Sequence, residues 1–255
     1  MLFFKRILDV SKAPEVTTNR RAASRYVVNP EFPVTAVLNI TDRDIFGNLP
    51  KHHERRGDGS DWPVQLVNLS STGARLQAPA SVRAKRDDFG RLKLDVQGYQ
   101  LIVPGRIAHL AEEDGCRIIG LVLDLSTANT QAGYRQLIEL VALGSSLTLV
   151  KPSQADGSGY LLEQYAGEHS SRLSIWREPF GQSVTAFEFL LKDCLVRGLD
   201  GKTGLEFFTG AEARKAQPAT AAQGEEIKRL YQWVVLNLPP VVPADARAFL
   251  LQRAA

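Results

Sequence analysis

Two short segments of the chain carry residue types suited to a planar, anionic ligand. The first, residues 19–26, contains Arg21-x-x-x-Arg25 directly after another arginine, Arg20. The arginine fork gives paired hydrogen bonds to phosphate or to guanine O6 and N7, and its plane stacks on purines, whereas lysine offers only a point charge. The arginine pair therefore predicts a contact with phosphates or purines, although taken alone it also fits a solvated surface cluster.

The second segment, Asn68-Leu-Ser-Ser-Thr-Gly73, is an Asn-x-Ser-x-x-Gly turn between two strand-like stretches. The Asn68 amide both donates and accepts hydrogen bonds, which suits a guanine edge, and the Ser70 hydroxyl suits a base or a phosphate. Gly73 permits either a positive φ or a close approach of the backbone. Taken alone, this segment is more typical of an ordinary turn. Arg75 follows on the next strand and fits either a flanking contact or an exposed strand position.

Strand and helix patterns surround both segments. Alternating and β-branched sequence predicts six or seven short strands between residues 26 and 123, and apolar residues at helical spacing predict a helix over 129–143. Such strands indicate a small barrel or a sandwich. Residues 41–62 are polar and charged and predict a loop, which is either a disordered insertion, the interpretation we favour, or a segment that covers a ligand or binds a partner.

Together, the two motifs, their order and their places beside strands resemble the PilZ domain family over about residues 15–143. The resemblance implies a six-stranded antiparallel barrel followed by a helix, and a site for the bacterial second messenger cyclic di-GMP. It implies that Arg21 and Arg25 clamp the ligand, with Arg20 adding charge or helping to hold a second ligand molecule.

The same resemblance implies that Asn68 and Ser70 contact the ligand while Gly73 shapes the loop. One feature departs from the family pattern, because the separation between Arg25 and Asn68 is longer than expected. The excess falls in the predicted 41–62 loop.

The remainder of the chain predicts a second β-rich domain, with strand-like segments between residues 147 and 208 and helices over 225–236 and 244–252. Two interpretations stay open: a degenerate second copy of the PilZ-like barrel that has lost the ligand chemistry, or an unrelated β-rich domain. The predicted fold class is mainly β with α. The predicted parts are an N-terminal helix or arm (1–14), the barrel (15–143) and the second domain (144–255).

Composition narrows the functional classes. The formal net charge of +3 over 255 residues does not suit a polycation that coats nucleic acid, so no nucleic acid polymer is expected as a partner. No apolar run reaches the roughly 18 residues of a membrane span, and two isolated cysteines favour a reducing compartment, so a cytoplasmic protein is expected. No catalytic or metal-ligand motif is evident, so neither an enzyme nor a cofactor or metal is expected.

These interpretations lead to one functional hypothesis and one alternative. The hypothesis is a cyclic di-GMP receptor whose arginine-bearing arm closes over the ligand and thereby regulates a downstream protein. The alternative is a PilZ-like adaptor that binds no nucleotide and acts by protein–protein contact. A homodimer is compatible with both.

Overall fold

A computed structural model of the protein describes residues 24–41, 59–180, 183–210 and 216–254. The chain divides into two compact units, and the boundary between them falls between Ile138 and Glu139. The predicted arm of residues 1–14, the arginines Arg20 and Arg21 and most of the predicted 41–62 loop lie outside the described residues.

The first unit contains seven described strands and the beginning of a long helix. Their bounds are β1 (Arg25–Val27), β2 (Thr35–Thr41), β3 (Gly59–Ser70), β4 (Gly73–Pro79), β5 (Phe89–Val96), β6 (Tyr99–Glu113), β7 (Cys116–Leu123) and α1 (Ala128–Ser145).

Six of these strands close into an antiparallel ring in the order β3-β2-β5-β6-β7-β4, because β4 pairs back with β3. The short β1 pairs with the last residues of β3, beyond the part of β3 that pairs with β2. This architecture confirms the predicted six-stranded antiparallel barrel with a helix after it.

Alternation of buried and outward-facing residues explains why these segments form a barrel. In β5, Leu92, Leu94 and Val96 are buried while the residues between them are only partly buried. In β4, Leu76 is buried in the same way. Because successive side chains of a strand point to opposite faces, each strand fills the core with one set and leaves the other for the barrel's outer surface.

Part of the predicted 41–62 loop is strand. β3 begins at Gly59, and its first half pairs with β2. The polar character of this stretch belongs to its outer face: Asn39 Nδ2 donates to Asp61 Oδ1 over 2.6 Å, and Lys93 Nζ lies 2.7 Å from Asp61 Oδ2. The polar residues of this stretch therefore predicted a loop, although Asp61 makes side-chain contacts to β2 and β5.

Two strands predicted over 99–103 and 105–110 form the single strand β6. The sequence indicated a break before Gly105, but this glycine lies within β6 and allows β6 and β7 to approach closely. A Cβ at this position would lie 2.8 Å from the carbonyl oxygen of Val122 on β7.

The second unit is a sheet followed by helices. Its elements are β8 (Thr148–Ala155), β9 (Leu161–Ala166), β10 (Arg172–Arg177), β11 (Val184–Leu191), β12 (Cys194–Leu199), β13 (Glu206–Thr209), β14 (Gln217–Pro218), α2 (Ala221–Leu236) and α3 (Ala244–Ala254). The helices stack aromatic rings on the sheet, where Phe187 of β11 lies parallel to Tyr231 of α2 with ring centroids 5.7 Å apart.

The strand order of the second sheet runs from β8 to β14 as in the chain, and each described strand pairs with its sequence neighbour. Within the described residues, no pairing of β14 with β8 closes this sheet into a ring. The first unit has a different order and is closed. Of the two interpretations left open by the sequence, the strand order therefore favours an unrelated β-rich unit over a second copy of the barrel.

In the parts of the chain that the structure describes, no helix is both long and apolar enough to cross a membrane.

Candidate ligand-binding site

Strand pairing brings the two sequence motifs together. β1 runs antiparallel to β3, so that Arg25 lies directly opposite Ser70 and Val27 lies opposite Asn68. Residues paired in this way have Cβ atoms about 5 Å apart and project from the same face. The last arginine of the first motif is thus placed beside the second motif, although a long stretch of chain separates them.

The second motif forms the tight turn between β3 and β4. Ser70 pairs with Gly73 across this turn, and its hydroxyl donates to the Gly73 carbonyl oxygen over 3.3 Å. The same carbonyl oxygen accepts a second hydrogen bond, 2.8 Å long, from the hydroxyl of Tyr134 on α1. Burial raises the pKa of Tyr134, which keeps this hydroxyl protonated and able to donate. Helix α1 therefore holds the turn in place.

Gly73 is required for a close backbone approach. A Cβ on this residue would lie less than 3.0 Å from the Leu121 carbonyl oxygen of β7, nearer than real Cβ contacts occur. Gly73 is not among the residues with a positive φ. Of the two roles that the sequence allowed for this glycine, the structure selects the close approach.

A cavity of about 420 Å³ opens at this turn, across the outer faces of β1, β3, β4, β6 and β7. Its volume falls within the range of about 300–1,000 Å³ typical of small-molecule sites. Four of the predicted site residues line it, namely Arg25, Asn68, Ser70 and Gly73. Further lining residues are Thr72, Ala74, Arg75, Ala108, His109, Glu113, Ile118, Gly120, Leu121 and Val122.

Small residues leave part of the cavity wall as bare backbone. Gly120 of β7 pairs with Arg75 on one side and with His109 on the other. A Cβ on Gly120 would lie 3.2 Å from the Cβ of His109. A flat wall of this kind suits a planar ring.

The charges that line the cavity are unequal. Arg25 and Arg75 contribute two guanidinium groups, against the single carboxylate of Glu113. Arg75 Nη2 lies 2.8 Å from Glu113 Oε1 and 3.1 Å from Oε2. The described wall therefore carries a net positive charge, which favours an anionic ligand.

Sequence reasoning missed Glu113 and His109 as cavity residues. Both lie on β6, which no short motif marks. A bulge between Ile107 and His109 sets the register that brings His109 opposite Gly120. The acidic hairpin after β6 was visible in the sequence as a turn, but its pairing with Arg75 depends on barrel closure.

The predicted residues Arg20 and Arg21 lie outside the described residues, so their placement in the site stays a prediction. The structure places the other four predicted residues on one cavity, and their contact with a ligand is likewise still a prediction.

The first unit is thus a small closed antiparallel β-barrel with a cavity on its outer face, and arginine side chains line this cavity. Residues 19–143 match the PilZ domain family. Among solved structures, the chain is similar to the PilZ domain with c-di-GMP of YcgR from Escherichia coli. That match has 12% identity and a TM-score of 0.35, and it covers 47% of this chain and 89% of that chain. No curated protein sequence matches the chain.

Proposed function

We propose that the protein is a receptor for cyclic di-GMP, which binds in the cavity beside Arg25 and thereby regulates a partner protein. The match of residues 19–143 to the PilZ domain family supports this proposal. The observation that carries it is the pairing of Arg25 with Ser70, which joins both motifs in one cavity.

The chemistry of the cavity residues suits this ligand. Cyclic di-GMP carries two phosphates and two guanines. The Arg25 guanidinium can take a phosphate or stack on a guanine, and the Asn68 amide can bond to a guanine edge. The Ser70 hydroxyl bonds to the carbonyl oxygen of Gly73 as a donor, so its lone pairs remain suited to accept from a guanine N–H.

The N-terminal arginines complete the proposed site. Arg20 and Arg21 precede β1, and β1 begins with Arg25, the last arginine of the motif. We assign Arg20 and Arg21 to the side of the ligand that faces away from the β3–β4 turn. A ligand shifts a conformational equilibrium only by its difference in affinity for the two states. In this proposal the difference in affinity comes from contacts of Arg20 and Arg21 that form only when the segment that carries them has closed over the ligand.

The remaining parts of the proposal concern what the protein does with the ligand. It is a binding protein rather than an enzyme, needs no metal or cofactor, acts in the cytoplasm and passes the signal to a downstream protein. The second unit, residues 139–254, is the part we assign to this output.

Calorimetric titration with cyclic di-GMP tests the proposal. We expect the unaltered chain to bind, and Arg21→Ala and Asn68→Ala each to weaken binding at least about tenfold, since each removes a hydrogen bond to a charged or planar group of the ligand. Arg83→Ala is the matched control, because Arg83 is exposed and does not line the cavity. Unchanged affinity in both variants would contradict the assigned site, and no binding by the unaltered chain would favour the adaptor alternative.

A further inference from the structure

We propose that Arg75 is a further ligand-binding residue, and that Glu113 is the carboxylate that holds its guanidinium until a ligand phosphate replaces it. This inference rests on the proposed function, because it requires an anionic ligand in the cavity beside Arg25.

The strand register places Arg75 among the site residues. Arg75 lies on β4 opposite Asn68 of β3 on one side and opposite Gly120 of β7 on the other. Residues directly opposite each other project from the same face of a sheet, so Arg75 and Asn68 share the barrel's outer face. Gly120 has no side chain to separate Arg75 from β6, where Glu113 lies.

The contact between Arg75 and Glu113 uses only part of the guanidinium. Both carboxylate oxygens of Glu113 accept from the same nitrogen, Nη2, at 2.8 and 3.1 Å. Arg75 Nε is buried and, among the described residues, has no hydrogen-bond partner. An uncompensated buried donor is costly, so a movement that releases the guanidinium from Glu113 and gives Nε an acceptor is favoured.

A phosphate suits the Arg75 guanidinium better than Glu113 does. The Nε and Nη2 donors form one edge of the arginine fork, and two phosphate oxygens can accept from this edge at once. The Arg75–Glu113 pair is half-exposed, with 39% and 53% of the two side chains accessible. Pairs as exposed as this one contribute little stability and exchange readily.

Glu113 opposes binding of the ligand for as long as it holds Arg75. The Glu113 carboxylate and a ligand phosphate compete for the same guanidinium. The affinity of the unaltered chain is therefore lowered by the free energy needed to separate the pair. Removal of the negative charge at Glu113 should raise the affinity, but only while Arg75 is present.

A double-mutant cycle measured by calorimetry with cyclic di-GMP, on the full chain, tests the inference. We expect Glu113→Gln to tighten binding about fivefold and Arg75→Gln to weaken it about tenfold. In the Arg75→Gln background, Glu113→Gln should change the affinity less than about twofold. Glu112→Gln is the matched control, because Glu112 also pairs with an arginine, with its Oε1 3.5 Å from Arg117 Nη2. Glu112 is exposed and does not line the cavity.

Arg75→Lys extends the test by separating charge from geometry. It keeps the positive charge and lacks the fork, so we expect weakened binding here as well. Thermal unfolding of each variant checks that the barrel remains folded.

The outcomes separate the inference from the function on which it rests. If the unaltered chain binds cyclic di-GMP but Glu113→Gln weakens binding, the carboxylate itself contacts the ligand and the inference is wrong. If Glu113→Gln raised the affinity equally with and without Arg75, Glu113 would act by simple charge repulsion and the inference would be wrong. Unchanged affinity in Arg75→Gln would also overturn the inference. Absence of binding by the unaltered chain would overturn the proposed function and the inference together.

Discussion

At the turn between β3 and β4, the hydroxyls of Ser70 and Tyr134 both donate to the carbonyl oxygen of Gly73. One of these hydroxyls belongs to the motif itself and the other to helix α1, so the helix after the barrel helps to shape the candidate site. The same glycine packs its backbone against Leu121. Ser70 and Gly73 of the motif thus also stabilise the turn itself, in addition to the ligand chemistry predicted for the motif.

Gly73→Ala should destabilise the barrel unit, because the new Cβ would meet the Leu121 carbonyl oxygen of β7. We expect a loss of about 1–3 kcal/mol in the free energy of unfolding, as for other overpacked positions. Urea unfolding measures this loss. Gly157→Ala is the control, since a Cβ at Gly157 meets nothing within 4 Å and its φ is not positive. Equal stability of both variants would show that β4 and β7 can separate at no cost.

At the scale of elements, a buried arginine joins two strands to a helix in the second unit. Arg177 of β10 is 7% exposed, and its Nε donates to Glu163 Oε1 of β9 over 3.0 Å. Its Nη1 donates to Asp245 Oδ2 at the start of α3, and its Nη2 to Asp245 Oδ1 over 3.2 Å. This group of charges ties α3 to β9 and β10 of the sheet.

Arg177→Met should lower the stability of the second unit by about 3–5 kcal/mol, because it leaves the largely buried Glu163 carboxylate unpaired. Asp245→Asn should cost much less, since the Asp245 side chain is 57% exposed. Chemical unfolding of both variants measures the difference. Glu206→Gln is the control for an exposed pair, with Lys202, and should change stability by less than about 0.5 kcal/mol. A loss in Arg177→Met no larger than in this control would contradict the role given to the group.

The Arg177–Asp245 contact also predicts a pH dependence. The hydrogen bond from Arg177 lowers the pKa of Asp245 below its ordinary value of 3.8. A carboxyl whose pKa is lowered by folding stabilises the folded state above the unfolded pKa, and this contribution is lost as the pH falls through the folded pKa. We therefore expect the stability difference between the unaltered chain and Asp245→Asn to be full at pH 6 and to shrink below about pH 4. A difference that grows on acidification would have the wrong sign.

On the scale of the whole molecule, the chain has a closed barrel that carries the candidate site and a second sheet whose described strands follow the order of the chain. The boundary between the two units falls within α1, whose first half includes Tyr134. A signal from the cavity to residues 139–254 requires that ligand binding change the second unit as well as the first.

Hydrogen exchange with and without cyclic di-GMP tests this requirement. We expect slower exchange in β1 and at the β3–β4 turn, because a ligand that binds only the folded state stabilises it by about 2.7 kcal/mol at a hundredfold excess over its dissociation constant. We also expect a change within residues 139–254. Arg25→Ala, which lacks the proposed contact, is the control and should show both effects more weakly at the same ligand concentration. Protection confined to the barrel would contradict an output through the second unit.

Much of the fold follows from local sequence patterns. Alternate burial in β4 and β5 and the helical spacing in α1 were readable because each strand or helix exposes one face to the core. Asn68, Ser70 and Gly73 were recognisable for a similar reason, since a tight turn places its own residues together.

Only the tertiary structure decided which distant residues meet. The pairing of Arg25 with Ser70, the contact of Arg75 with Glu113 and the closure of the first sheet but not of the second all join strands far apart in the chain. Local periodicity determines which face of a strand is buried, whereas strand order and register depend on how all the strands pack together. The sequence by itself therefore determined the alternating strands of the first unit and the motif residues of the candidate site. The tertiary structure decided that Arg75 and Glu113 belong to the same cavity.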